Sequence, residues 1–69
     1  MTIEELIKLM EKANVEYEGE VTEDATFDDL EIDSLDIMML SFEIEKANGK
    51  KLTFAKDESI KQALEKING

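Results

Sequence analysis

Two capping boxes mark the starts of two amphipathic helices in this chain. In each box a threonine or serine is followed three residues later by Glu or Gln, as in Thr2-Ile3-Glu4-Glu5 and Ser59-Ile60-Lys61-Gln62. Apolar residues then recur at helical spacing, which predicts one buried face for each helix. These residues are Ile3, Leu6, Ile7, Met10 and Ala13 in the first helix, and Ile60, Ala63, Leu64 and Ile67 in the last. We expect helices over about residues 3–13 and from residue 60 to the closing Asn68-Gly69.

A third helix between these two is predicted to be apolar on both sides. Asp33 can cap it, Ser34 takes its first position, and Asn48-Gly49 ends it. On a helical wheel the core side holds Ile37, Leu40, Ile44 and Ala47, and the opposite side holds Leu35, Met38, Met39 and Phe42. Such a helix is either buried on both sides or exposes one side to a partner. Because 69 residues can hardly cover both sides, we expect an exposed apolar stripe beside Ser34.

The segment between the first two helices, residues 14–33, follows neither helical nor strand periodicity. Apolar residues recur through it as anchors to the core: Val15, Tyr17, Val21, Phe27, Leu30 and Ile32. Thr26 and Asp29 could frame one helical turn inside it. A short turn or helix is also expected near Phe54-Ala55-Lys56-Asp57. The predicted fold class is therefore all-α: one domain over residues 1–69, a small bundle of three main helices plus one short helix, with a long ordered loop.

The composition excludes several classes of function. No histidine or cysteine is present, which removes the Ser-His and Cys-His nucleophile pairs, the usual zinc ligands and any disulfide. Eighteen acidic residues against eight lysines give a net charge of −10, which disfavours nucleic acid and anionic membranes. No apolar run reaches the ~20 residues of a membrane span, and no signal peptide is recognisable. We expect a monomeric cytoplasmic protein that is not an enzyme.

The charge is unevenly distributed along the chain. Residues 1–45 hold fifteen acidic residues and two lysines, whereas residues 46–69 hold three acidic residues and six lysines. A strongly acidic first part favours basic protein surfaces as partners, because electrostatic steering brings opposite charges together. Self-repulsion within that part should cost some stability at low ionic strength.

Only one side chain is a plausible carrier of covalent chemistry. Ser34 lies in the run Ile32-Asp33-Ser34-Leu35-Asp36, at the start of the second helix. Taken locally, Asp33 could be no more than a helix cap and Ser34 a tolerated polar residue in a first turn. The chain length, the absence of catalytic residues, the layout in four segments and the acidic first part together favour a functional serine instead.

The chain resembles the acyl carrier proteins over most of its length. The matching stretches are Val21-Thr22, Ala25-Thr26-Phe27, Leu30, Asp33-Ser34-Leu35-Asp36 and Ile60-Lys61-Gln62-Ala63-Leu64-Glu65-Lys66-Ile67-Asn68-Gly69. The resemblance implies a covalent 4′-phosphopantetheine on Ser34, whose thiol holds acyl intermediates of fatty acid, polyketide or related specialised biosynthesis. It implies that Asp33 helps a phosphopantetheinyl transferase and its magnesium ion engage the site.

The resemblance also implies partner enzymes and a place for the cargo. Acyl-loading and acyl-processing enzymes would dock on a face formed by Leu35, Asp36, Met38, Met39, Phe42 and Lys46. A loaded acyl chain would need apolar space between the second helix and the long loop, near Phe27, Leu30, Ile32 and Leu40.

Three departures from the family pattern point to a specialised carrier. Carriers of fatty acid synthesis usually have glycine at the position of Glu31 and glutamates at those of Met39 and Lys46. The segment between the second and last helices is also about two residues shorter. A methionine and a cation in place of two anions should weaken docking to basic patches and strengthen apolar docking.

Three other functions remain as alternatives. An aminoacyl or peptidyl carrier, or a discrete polyketide carrier, would share the serine and the bundle. A small acidic interaction module without a prosthetic group would need only the apolar stripe. Calcium binding by residues 24–36 is disfavoured, because the segment lacks the alternating carboxylates and central glycine of an EF-hand loop.

Overall fold

The computed structural model describes residues 1–69 and contains three α-helices and no strand. Helix α1 spans Ile3–Lys12, α2 spans Ser34–Asn48 and α3 spans Ile60–Asn68. The predicted all-α fold class is confirmed, and each helix lies within one or two residues of its predicted bounds. None of the three helices combines the length and the apolar character that a membrane span needs.

The helix ends are set by the capping interactions that the sequence predicts. In the Thr2 and Ser59 boxes, the backbone N–H groups of Glu5 and Gln62 donate to the capping hydroxyls over 3.3 and 3.1 Å, and both reciprocal bonds form. Gly49 ends α2 in the left-handed conformation with φ of 75°. Each bond satisfies a backbone group that a helix end otherwise leaves unpaired.

The core is one cluster of thirteen buried apolar residues contributed by the three helices and the long loop. Its members are Leu6, Met10, Ala13, Val15, Phe27, Leu30, Ile32, Ile37, Leu40, Ile44, Ile60, Ala63 and Ile67. The loop therefore contributes four of the thirteen, as its apolar anchors predict. Ala47, predicted to face the core, is exposed, because it lies in the last turn of α2 beyond the buried Ile44.

Backbone hydrogen bonds order the long loop. Glu18 donates to the carbonyl of Leu30 over 2.9 Å, and Ile60 donates to that of Ala25 over 2.8 Å, so the loop is tied to itself and to the start of α3. Thr26 and Asp29 exchange backbone-to-side-chain bonds of 3.1 and 2.9 Å, which forms the predicted turn.

The predicted short helix near residues 54–57 is wrong, since Lys56 and Asp57 form only a turn. The carbonyls of this segment bond to the long loop instead of continuing along a helix. Asp28 donates to the carbonyl of Lys56 over 2.9 Å, and Phe27 donates to that of Glu58 over 3.3 Å. Pairing across the fold therefore replaces the local i→i−4 pattern.

The side chain of Glu58 holds this turn together. It accepts from the backbone N–H of Ala55 over 2.9 Å and from the Nζ of Lys66 over 2.8 Å. Burial raises the pKa of Glu58, but the hydrogen bonds from Lys66 and Ala55 and the charge of Lys66 outweigh this, so the pKa lies below its ordinary value. The turn is thereby fastened to α3.

Glu31 adopts a backbone conformation that suits glycine. Its φ is 58°, in the left-handed region, and the side chain is exposed. A residue with a Cβ atom is disfavoured there by about 1–2 kcal/mol, whereas glycine is not. The glycine that is usual at this position in the acyl carrier proteins, which the sequence resembles, therefore matches the geometry of the turn before α2.

Glu31→Gly is expected to stabilise the protein by about 0.5–1 kcal/mol, because relief of the left-handed strain outweighs the extra chain entropy of glycine. Urea denaturation measures the free energy of unfolding. Glu31→Ala is the matched control, since it removes the same carboxylate but keeps the Cβ atom. An equal gain in both variants would assign the effect to charge and contradict the backbone explanation.

Candidate functional site

Ser34 is the first residue of α2 and is exposed to solvent. The preceding Asp33 has an extended backbone and caps the helix, with its Oδ1 accepting from the N–H of Asp36 over 2.9 Å. The cap begins the helix at the serine, so the Ser34 hydroxyl stands at the positive end of a fifteen-residue helix. A phosphate ester is well tolerated at such an end, because free backbone N–H groups point toward it.

The carboxylate of Asp36 disfavours an anion on its own side of the helix. Asp36 lies two residues beyond Ser34, about 160° away from it around the helix axis at 100° per residue. Repulsion between a phosphate on Ser34 and the carboxylate of Asp36 therefore favours the opposite flank of α2.

A groove of about 430 Å³ runs along that opposite flank and begins at Ser34. One wall is α2 and the other is the segment that follows it. Its lining residues are Ser34, Ile37, Met38, Ser41, Phe42, Glu45, Lys51, Leu52, Thr53 and Phe54. The twelve residues from Ser34 to Glu45 span a rise of about 16 Å along the helix. A flexible group attached to Ser34 would therefore have a partly apolar surface of that length beside it.

The sequence did not predict this groove. Its second wall comes from Leu52 and Phe54, which alternate with the polar Lys51 and Thr53 in a segment without helix or strand. That short alternation was the available signal, since it places two apolar side chains on the same side of an extended segment.

The apolar stripe of α2 that faces away from the core is exposed, as predicted. Leu35 is 63% exposed, Phe42 54%, Met38 53% and Met39 36%. Lys46 continues the same stripe, because positions 35, 39, 42 and 46 repeat at helical spacing. Its Nζ lies 3.6 Å from an Oε2 of Glu43. The face is thus apolar beside Ser34, with a cation at its far end.

The family model for the phosphopantetheine attachment site matches residues 5–56, which include α2, the long loop and all ten residues that line the groove. The chain belongs to this family. No curated protein and no solved structure matches it. Because the family is one of non-catalytic carriers, the chain is a carrier domain and not an enzyme, and its prosthetic group is 4′-phosphopantetheine. That group supplies a thiol on which cargo is held as a thioester.

The four residues expected to surround an acyl chain lie together inside the carrier. Phe27, Leu30, Ile32 and Leu40 are at most 2% exposed, and none of them lines the Ser34 groove or the two other surface depressions described below. Phe54 connects this core to the groove. Its ring lines the groove and packs 5.9 Å from the ring centre of Phe27, while the Nζ of Lys66 lies 5.5 Å from the centre of the Phe54 ring.

Two further depressions of the carrier lie away from the Ser34 groove. The larger of the two, about 650 Å³, is formed mainly by the start of α1 and by α3 and contains none of the predicted site residues. A smaller one of about 290 Å³ is lined by Glu16, Tyr17, Glu18, Glu31 and Asp36. No group of three carboxylates is arranged to hold a metal ion.

Proposed function

We propose that Ser34 carries the 4′-phosphopantetheine arm, and that this carrier holds acyl groups as thioesters for enzymes of fatty acid, polyketide or related specialised biosynthesis. The observation that carries the proposal is the position of Ser34, an exposed hydroxyl at the N-terminus of α2 and at the mouth of a partly apolar groove. The test is transfer of phosphopantetheine from coenzyme A to the protein, followed by mass spectrometry of the intact chain.

The other hydroxyl groups fit the role less well. Thr2, Thr26 and Ser59 are engaged as caps, and Ser41 donates to the carbonyl of Ile37 over 2.9 Å from a half-buried position. Thr22 and Thr53 lie outside the helices. Among the serines and threonines, only Ser34 is exposed, stands at a helix N-terminus that favours a phosphodiester, and has a hydroxyl that is not engaged as a cap.

The apolar lining of the groove is an argument for acyl cargo. Five of its ten lining residues are apolar: Ile37, Met38, Phe42, Leu52 and Phe54. Burial of apolar cargo against them removes hydrocarbon from water, which stabilises the loaded state by roughly 25 cal/mol per Å² buried. We place the arm along this groove, and Phe27, Leu30, Ile32 and Leu40 would be reached only by a cargo that moves Phe54.

We infer that the exposed face of α2 selects the partner enzymes. Leu35, Met38, Met39 and Phe42 offer apolar contacts that repack easily, especially at the two methionines. Lys46, 74% exposed, presents a cation where related carriers present an anion. Such a face suits an apolar partner surface better than a wholly basic one, so we propose a specialised carrier with dedicated enzymes.

The specialised role predicts low activity of this carrier in general fatty acid synthesis. We expect the holo-protein to support a reconstituted type II fatty acid synthase less well than the housekeeping carrier does. Lys46→Glu should raise its activity about threefold to tenfold at low salt, because an anion at this position steers the carrier to basic enzyme patches. The gain should shrink as salt increases.

The matched control is Lys56→Glu, which makes the same change in net charge. Lys56 lies outside the α2 face and pairs with Asp28 over 3.8 Å. An equal gain from both variants would mean that total charge, not docking at α2, governs the rate. If the unmodified chain already serves the synthase as well as the housekeeping carrier does, the proposed specialisation is wrong.

A further inference from the structure

The sulfur atoms of this protein lie in very different environments. The chain has four methionines and no cysteine. Met10 is completely buried, whereas Met38 is 53% exposed and Met39 36% exposed. Oxidation of methionine follows accessibility to the oxidant. The two methionines of α2 are therefore more accessible to a dissolved peroxide than the half-buried Met1 and the buried Met10.

Met38 stands between the attachment serine and the rest of the docking face. It lies four residues after Ser34 and four before Phe42, so the three side chains follow one another along the same side of α2. It lines the groove that begins at Ser34 and also belongs to the exposed apolar stripe. A chemical change at this side chain alters both surfaces at once.

We propose that Met38, together with the adjacent Met39, is a redox-sensitive modification site that controls access of enzymes to Ser34. A peroxide converts the thioether to the sulfoxide, and docking to α2 weakens. The inference rests on the proposed function for its consequence, since the affected enzymes are those that act at Ser34.

The reaction balances with the peroxide as the only co-reactant. A lone pair on the methionine Sδ attacks one peroxide oxygen, an S–O bond forms and the O–O bond breaks. Sulfur is oxidised by two electrons, and hydrogen peroxide is reduced to water. Methionine sulfoxide reductases reverse the change, so the modification can act as a switch.

The sulfoxide opposes the contact that the thioether favours. Methionine is flexible and apolar. Its sulfoxide is polar, and burial of the sulfoxide oxygen without a hydrogen-bond donor is energetically unfavourable. An enzyme that covers Met38 with an apolar surface should therefore bind the oxidised carrier about tenfold more weakly.

The test uses the full-length protein without its arm. Hydrogen peroxide is added and removed, and mass spectrometry of peptides locates the added oxygen. We expect Met38 to be oxidised first, Met39 next, and Met10 to stay unmodified. Transfer of phosphopantetheine from coenzyme A by a broad-specificity transferase should then be about tenfold less efficient, and the two epimer-specific methionine sulfoxide reductases added together should restore it.

The control is Met38→Leu with Met39→Leu, an apolar exchange of similar size. Each protein is compared with itself before and after peroxide, so any effect of the substitutions on the starting rate cancels. The efficiency ratio should stay near one in this double variant. A tenfold loss that persists there would overturn the assignment to α2.

Other results would also overturn the inference. Oxidation of Met10 as fast as Met38, or loss of the helical circular dichroism signal, would show that peroxide unfolds the protein. Equal transfer before and after oxidation would refute the switch while leaving the proposed function intact. A fresh protein that accepts no phosphopantetheine would refute the proposed function itself, so the two failures are distinguishable.

Discussion

Ser34→Ala should accept no phosphopantetheine and yet keep its fold. The substitution removes the hydroxyl that would be esterified, and no other side chain at the mouth of the groove replaces it. The position is exposed and lies in the first turn of α2, where alanine is a good helix former. We expect the free energy of unfolding to change by less than about 0.5 kcal/mol.

The measurement is incubation with coenzyme A, magnesium ions and a broad-specificity phosphopantetheinyl transferase, followed by the intact mass. The unmodified sequence should gain one phosphopantetheine. Ser41→Ala is the matched control, since Ser41 also lines the groove but donates its hydroxyl hydrogen to the carbonyl of Ile37. This variant should gain the group like the parent.

Two outcomes would contradict the assignment of Ser34. An adduct on Ser34→Ala would place the attachment at another hydroxyl. Failure of the parent protein with several transferases would instead favour the small acidic interaction module, for which the exposed apolar stripe of α2 suffices.

Phe27→Ala should lose about 3–5 kcal/mol of stability, because a fully buried ring is removed and the cavity cannot refill completely. A domain of this size is stable by only about 3–10 kcal/mol in total. The ring also packs on Phe54 with 5.9 Å between the ring centres, a contact that alanine cannot make. The variant is therefore expected to be largely unfolded at room temperature or to melt far earlier.

Circular dichroism during urea and thermal unfolding measures this effect. Leu35→Ala is the control for loss of an apolar side chain, because Leu35 is exposed and its loss should cost less than about 0.5 kcal/mol. A loss below about 1.5 kcal/mol for Phe27→Ala would show that neighbouring side chains fill the space, contrary to a tightly packed core.

The helices and their ends could be predicted from the sequence because local interactions set them. The Thr2 and Ser59 boxes, the Asp33 cap and the Gly49 end each involve residues only a few positions apart. The exposed stripe could also be predicted, since the second helix is apolar on two sides and the chain is too short to cover both.

Contacts between distant segments account for what the sequence did not predict. The turn at Lys56 forms because its carbonyl accepts from Asp28, which lies in the long loop. The groove exists because Leu52 and Phe54 pass beside α2, and the spacing of apolar residues within a helix cannot predict that placement. The left-handed φ of Glu31 was likewise hidden, except for the glycine found there in related carriers.

Phe54 belongs both to the groove and to the packing of the core. A short cargo that stays in the groove leaves its ring on Phe27 and beneath Lys66. A longer cargo that enters the core must displace the ring and forfeit those contacts. Under the proposed acyl function, thioester load and conformational stability would then be thermodynamically linked, so the resistance of the carrier to unfolding would depend on the length of the acyl chain that it carries.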